Sequence, residues 1–288
     1  MMEWRGKPVA DAVLAELQPR IGRLKERGTV PKLMVLRVGE RPEDLAYERG
    51  IGKRFAAAGA IAETTVFPVN VSQDVLENAV RSWNEREDVH GILIFRPLPR
   101  PLDENRLIRI LDPEKDVDGM TERNALRVYF GDRAGFAPCT PQAMLEMLDF
   151  YGYDVCGKNV AVIGRSRVVG RPLAMLLLAR NATVTVCHTK TRRLNEICRN
   201  ADVVVACAGS PRMVDETFVR PETVLLDVGI NACEGGVCGD ADYEKVLPAA
   251  FAVTPVPGGV GSVTTSVLLK HVVESAERSS RAGAETGN

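Results

Sequence analysis

The 288-residue sequence predicts an α/β protein of two domains, and three observations carry that prediction. Short apolar runs rich in β-branched residues alternate with segments of helical apolar spacing, in one block before about residue 140 and in a second after it. In the second block, Val160-Ala-Val-Ile-Gly164-Arg-Ser-Arg-Val-Val-Gly170 passes from a strand pattern through a polar turn into the helix-forming Leu173–Ala179, which is the grammar of a Rossmann-like nucleotide-binding domain. Hydrophobic residues make up 45% of the chain and charged residues 26%, a balance that supports a sizeable core under a solvated surface.

Taken in order, Val9, Val13, Leu14, Leu17, Ile21 and Leu24 recur at helical spacing across residues 8–27, and Gly28 ends that helix. Leu33 to Gly39 reads as a strand and turn. Arg41-Pro-Glu-Asp44 opens a helix that reaches about Ala58 and closes at Gly59. Thr64–Phe67 is a short strand, Ser72 and Asp74 open a helix carrying Leu76, Val80 and Trp83, and His90–Phe95 is a third strand. A helix is predicted from Asp103 to Leu111. Asp112 to Gly119 is a loop whose three aspartates look too polar for a core, and residues 121–137 look irregular. Thr140 suits an N-cap and Pro141 a first helical position, so a helix is placed from Gln142 to Tyr151. Strands follow at 159–163, 182–187, 202–207, 223–227 and 251–254. The rigid Thr254–Gly261 loop comes next, then a last helix over 264–277 and a disordered tail from Ser279 to Asn288.

The net charge of −1 gives no field for nucleic acid or an acidic membrane. The opening Met1-Met-Glu-Trp-Arg-Gly-Lys-Pro8 has no apolar core, and no apolar run approaches the ~18 residues of a membrane span, so a cytoplasmic protein is expected. Seven cysteines form an odd set without a C-x-x-C pair. Cys156, Cys187 and Cys207 sit in or beside apolar runs, Cys233 and Cys238 flank a hairpin turn, and the three histidines lie far apart; no metal site is expected.

A glycine at position 164 lets the chain turn sharply, and the helix that follows offers free N–H groups and a positive dipole end to a pyrophosphate. Ser166 stands where a G-x-G-x-x-G motif has its second glycine. The second strand of the block ends Val186-Cys-His-Thr189-Lys-Thr-Arg-Arg193, with no carboxylate for a ribose hydroxyl, and Arg165 and Arg167 lie in the glycine loop. A 2′-phosphate is matched by such cations, so NADP is favoured over NAD.

Pro138-Cys-Thr-Pro141, Val162–Pro172, Asp227-Val-Gly-Ile-Asn231, Thr254-Pro-Val-Pro-Gly-Gly-Val-Gly261, Gly91-Ile-Leu-Ile94, Pro97-Leu-Pro99 and Lys115-Asp-Val-Asp-Gly119 all occur in this chain. With these strings, the sequence resembles the methylenetetrahydrofolate dehydrogenase/methenyltetrahydrofolate cyclohydrolase family over nearly its whole length. The resemblance implies a homodimer with tetrahydrofolate derivatives bound in a cleft between the domains. It also implies a last helix that returns to the first domain. The folate-binding catalytic domain is then 1–140 plus 264–288, and the NADP-binding domain 141–263. Nucleotide contacts would fall on Gly164, Arg165, Ser166, Gly170, Thr189 and Ile230, and substrate contacts on Tyr47, Asp118, Pro257, Gly258 and Gly259. Asp118 would accept hydrogen bonds from the pterin amino group and ring nitrogen.

The chain departs from the family at the catalytic positions. The family has a tyrosine on the second helix, a lysine four residues on, and a glutamine just before Pro-Leu-Pro. Here these are Tyr47, Ile51 and Phe95. Lys53, six residues after Tyr47, is turned by roughly 240° from it on a regular helix. A distortion at Gly50 and Gly52 could still bring it round. Arg96 is one step along the strand from Phe95 and should face the other way. Ser262 stands where the family usually has proline.

Hydride transfer from methylenetetrahydrofolate is chiefly a matter of positioning, whereas hydrolysis of the methenyl cation needs a general acid/base. The expectation is therefore an NADP-dependent dehydrogenase with weak or absent cyclohydrolase activity. Two other readings stay open: a bifunctional enzyme using a substitute base, and a folate- or nucleotide-binding paralogue with a different substrate or a regulatory role.

Overall fold

A computed structural model describes residues 2–286 except Arg133 and Gly235, and the side chains up to Arg281. In chain order the elements are β1 (Met2–Glu3), α1 (Gly6–Glu26), β2 (Lys32–Val38), α2 (Pro42–Ala58), β3 (Ile61–Phe67), α3 (Gln73–Glu85), β4 (Gly91–Ile94), α4 (Glu104–Ile110), α5 (Glu122–Phe130), α6 (Cys139–Phe150) and β5 (Asn159–Ile163). They continue as α7 (Gly170–Leu178), β6 (Thr183–Cys187), α8 (Leu194–Arg199), β7 (Val203–Ala206), β8 (Val224–Asp227), β9 (Asn231–Cys233), β10 (Gly236–Cys238), α9 (Tyr243–Val246), β11 (Ala252–Val253) and α10 (Gly261–Thr286).

The chain divides into two compact units. The first comprises Met1–Asp11, Val128–Asp132 and Pro138–Thr264, and the second Ala12–Arg127, Arg133–Ala137 and Thr265–Asn288. The expected division is 1–140 plus 264–288 against 141–263; here Met1–Asp11 and Val128–Asp132 go with the unit that contains Pro138–Thr264. Met2 and Glu3 pair with Ala252 and Val253 as an edge strand, Trp4 stacks on Tyr151 at 4.6 Å, and the Tyr151 hydroxyl donates to the Arg5 carbonyl at 2.9 Å. A two-residue strand has no periodicity to read.

In the second unit β3, β2 and β4 form a parallel sheet in that order. Met34, Leu36, Val38, Ile92 and Ile94 bury one face against Leu76, Val80 and Trp83 of α3 and Leu107 of α4. α10 packs in the same unit: Val272 lies against Gly91, His271 Nδ1 is 2.8 Å from the Val117 carbonyl, and Glu277 pairs with Arg20. Burial lowers the His271 pKa, disfavouring its charged form.

In the first unit the strand order is β1-β11-β8-β7-β5-β6, all parallel, with β9 and β10 a separate antiparallel hairpin. Ala161, Ile163, Val204, Ala206, Leu225 and Val253 fill its core beside Cys198, Val214 and Val246. The chain leaves β5 toward β6 on one side and then crosses to β7 on the other, which makes the carboxyl ends of β5 and β7 a topological switch point.

Four expectations need correction. Residues 122–130 are helical: the buried positions of α5 are Asn124 and Val128, with the buried Thr121 just before it, so one of the helix's two inward residues is polar and the apolar period is hidden. The tail beyond Ser279 continues α10 through Thr286, anchored by Arg278, which donates to the Ala134 carbonyl at 2.7 Å and lies over the Phe136 ring; Gly287 and Asn288 are outside the described residues. α6 begins at Cys139 with Pro138 as its cap, so Thr140 and Pro141 lie in the first turn. Cys156 is exposed, its backbone N–H held by Asp154 in a turn.

Candidate functional site

The expected site residues fall into two groups, one in each unit. Tyr47, Ile51, Phe95 and Asp118 belong to the unit containing β2, β3 and β4. Gly164, Arg165, Ser166, Gly170, Thr189, Ile230 and the Pro257-Gly258-Gly259 loop belong to the other.

The first group is a wall built on α2, the end of β4 and the loop before α5. Salt bridges fix the start of α2. Arg41 holds Asp44 with two 2.8 Å hydrogen bonds, and the buried Arg37 of β2 donates to Glu48 at 2.7 Å. Tyr47 follows, half-buried, with its ring centroid 5.5 Å from that of Phe95. Ile51, one helical turn on, is 1% exposed, and Phe95 is 5% exposed. The helix is unbroken through Gly50 and Gly52, and Lys53 is exposed. With the helix continuous there, Lys53 leaves it on a different face from Tyr47.

The Lys115-Asp-Val-Asp-Gly119 string is dissected by the fold. Lys115 Nζ donates to the carbonyls of Trp83, Asn84 and Arg86, capping the end of α3, and burial lowers its pKa. Asp116, expected in a solvated loop, is fully buried; it accepts hydrogen bonds from the N–H groups of Met120 and Thr121 and from Asn124 Nδ2, at 2.7–2.9 Å. The Val117 carbonyl meets His271. Asp118 is presented by these anchors, half-buried, 3.8 Å from Arg96 Nη2. The flanking glycine was the signal for the loop, but nothing in the string distinguishes the buried aspartate from the presented one.

The second group centres on the turn between β5 and α7. Gly164 has φ +140°, and a Cβ there would collide with the carbonyl of Cys207 at the end of β7. Gly170 abuts the Gly164 carbonyl just as closely. The Ser166 hydroxyl accepts a hydrogen bond from the Val169 N–H at 3.0 Å and so closes the turn where a glycine is absent. Arg165, Ser166 and Arg167 are exposed, as are Thr189, Lys190, Arg192 and Arg193 after β6. Burial pushes the Cys207 thiol up to about 12, so it is a neutral neighbour of Gly164 and not a nucleophile.

Two buried carboxylates, unassigned by sequence reasoning, set the neighbouring loops. Asp240 accepts hydrogen bonds from the N–H groups of Ala208, Gly209 and Ser210 and from Asn231 Nδ2, all between 2.6 and 2.9 Å. Asp227 accepts from the N–H groups of Gly229, Asp240 and Ala241, and burial raises its pKa to about 6 against those donors. Together they fix residues 207–210 and 228–231, and Ile230 stands out 75% exposed. Pro257 and Gly258 are exposed, with the Gly258 carbonyl accepting from Gly6 N–H at 2.8 Å.

A turn whose glycines admit no side chain, opening on a helix N-terminus among exposed cations, fits the diphosphate and 2′-phosphate of a dinucleotide. Comparison with known proteins agrees. The model of the tetrahydrofolate dehydrogenase/cyclohydrolase catalytic domain matches residues 4–118, and that of the same family's NAD(P)-binding domain matches residues 138–280. The chain belongs to the tetrahydrofolate dehydrogenase/cyclohydrolase family. The bifunctional protein FolD of Carboxydothermus hydrogenoformans is 48% identical over 94% of this chain and 96% of its own. A bifunctional FolD methylenetetrahydrofolate dehydrogenase/cyclohydrolase from Campylobacter jejuni superposes with a TM-score of 0.94 at 35% identity, covering 96% of this chain and 99% of its own. The Trypanosoma brucei enzyme, solved with NADP cofactor and an inhibitor, gives 0.92 at 34% identity over 97% of this chain and 98% of its own. Among the described residues, no helix is long and apolar enough to cross a membrane, and no group of three or more His, Cys, Asp or Glu could hold a metal ion.

Proposed function

We propose that this family member is an NADP-linked 5,10-methylenetetrahydrofolate dehydrogenase in which methenyltetrahydrofolate cyclohydrolase activity is weak or absent. The relatives named above are bifunctional, so the family by itself leads one to expect both reactions. The observation that carries the narrower reading is the apolar wall: Ile51 and Phe95 are buried beside Tyr47, and Lys53 on the same helix is exposed.

In this reading Asp118 accepts the donors of the pterin edge and the Tyr47 ring lies along the folate. Gly164, Arg165, Ser166, Gly170, Thr189 and Ile230 hold the dinucleotide, and Pro257, Gly258 and Gly259 are the further positions that the family resemblance assigns to substrate. NADP supplies the hydride acceptor when bound. The bridging carbon is flanked by two nitrogens that stabilise the cation left behind, so the chain has to orient the substrate and exclude water, and no proton need leave carbon. Ile51 and Phe95 suit that task and offer nothing to activate water. A homodimer in the cytoplasm is part of the same proposal.

The test is a paired assay on one preparation, hydride transfer with NADP and with NAD alongside methenyl hydrolysis. Hydride transfer favouring NADP, with hydrolysis at least about 100-fold slower than hydride transfer, is expected from the loss of a general acid/base. Comparable rates would show that another group replaces the lysine, and the narrower reading would fall.

A further inference from the structure

Within the folate reading above, on which this inference rests, we infer that Arg96 is a substrate-recognition residue, donating a hydrogen bond to the C4 carbonyl of the pterin beside Asp118. The pterin edge that faces a carboxylate reads, in order, amino donor, ring N–H donor and carbonyl acceptor. Asp118 has two oxygens and satisfies the two donors. The third atom, the C4 oxygen, then lies next to a carboxylate oxygen, lone pair against lone pair, and needs a donor of its own.

Arg96 is placed to supply it. Its Nη2 is 3.8 Å from Asp118 Oδ2, close enough to be an ion pair and too long for a hydrogen bond, so the pair leaves room for a ligand oxygen to engage the guanidinium. The two side chains are 21% and 20% exposed, which makes their mutual attraction stronger than that of a surface pair while both remain reachable. Asp118 is fixed through Asp116 and Val117, as described above, and Arg96 through the backbone at the end of β4, where the Phe95 N–H donates to the Leu36 carbonyl at 2.9 Å. The planar fork of arginine can face a carboxylate and a carbonyl together, which an ammonium does less well. Phe95 and Arg96 thus divide the work: the one lies against Tyr47, the other reads the polar edge of the ring.

The experiment measures binding of folic acid and its 4-amino counterpart, which carries an amino group in place of the C4 oxygen, to the full-length wild type, Arg96→Leu, Arg96→Lys and Asp118→Asn. The KM and kcat for methylenetetrahydrofolate are measured alongside. Arg96→Leu should weaken folic acid binding and raise KM by about 10- to 100-fold, the range of a hydrogen bond to a charged group, with kcat changed less than about threefold. Its binding of the 4-amino compound, which has no C4 oxygen for Arg96 to reach and no hydrogen on ring N3, should not weaken by more than about threefold, each ligand being compared with itself across the two proteins. Arg96→Lys should recover part of the loss and shows that the site still folds. Equal weakening for both ligands would mean that Arg96 merely orients Asp118, and no weakening would mean that it does not touch the pterin; either result overturns the inference. If Asp118→Asn also binds folic acid like the wild type, or if the wild type binds neither folic acid nor methylenetetrahydrofolate, the failure lies in the folate reading of the wall itself.

Discussion

The glycine turn and the apolar wall answer the same sequence in opposite ways. The turn at 164–170 is made of backbone: two glycines that admit no Cβ, a serine hydroxyl closing the loop, and carboxylates of Asp227 and Asp240 collecting seven hydrogen bonds that set the adjacent loops. Its geometry follows from strands meeting at a switch point, and few substitutions are compatible with it. The wall is made of side chains on a regular helix and a strand end. Ile51 and Phe95 occupy their places without disturbing α2 or β4. A site held by backbone keeps its ligand when residues change, whereas a site held by side chains can exchange one chemistry for another at little cost to the fold.

The largest effect should come from restoring polarity to the wall. Ile51→Lys with Phe95→Gln is expected to raise methenyl hydrolysis by about 100-fold or more, the usual contribution of a general acid/base, while hydride transfer changes less. Lys53→Ala should leave both rates within about twofold, and a comparable loss of either would show that the exposed lysine contributes. Next is the turn. Gly164→Ala forces a methyl group into the Cys207 carbonyl at a backbone conformation that L side chains rarely adopt, so a destabilisation of about 3 kcal/mol and loss of NADP binding are expected from thermal unfolding and cofactor titration. Unchanged NADP affinity would mean that the loop tolerates more than its geometry implies.

A smaller effect concerns pH. Burial raises Asp227 from the ordinary 3.8 to about 6, so between those values the folded state keeps a proton that the unfolded chain has lost. This group therefore lowers stability as pH rises from about 4 to about 6, by roughly 3 kcal/mol at 1.36 kcal/mol per pH unit. Denaturant unfolding of wild type and Asp227→Asn across that window should show the slope in the wild type and its reduction in the variant. Parallel curves would assign the pH dependence to other groups.

Much of this was legible in the sequence. β5 matches its predicted span of 159–163, α2 ends where Gly59 takes the left-handed conformation at φ +69°, and the Cys233–Cys238 stretch forms the expected hairpin. Apolar period and glycine position act locally, and local signals survive folding. The misses share a cause as well. α5 turns Asn124 inward because Asp116 and the Pro113 carbonyl accept from its amide while its backbone N–H donates to the Thr121 hydroxyl, and a buried asparagine looks like a surface residue in a string of letters. The end of α10 stays helical because Arg278 has Phe136 and Ala134 to rest on, partners about 140 residues away.

By itself the sequence determined the alternation of strands and helices, the glycine turn, the family, and that Ile51 and Phe95 stand on the second helix and at the end of the third strand. Those depend on residue type and spacing along the chain. Only the tertiary structure decided which aspartate of the Lys-Asp-Val-Asp-Gly string is buried and which is presented, that Lys53 stays in solvent, and that Arg96 meets Asp118. Each of these is a choice among partners distant in sequence, settled by which groups the packed core leaves within reach of one another.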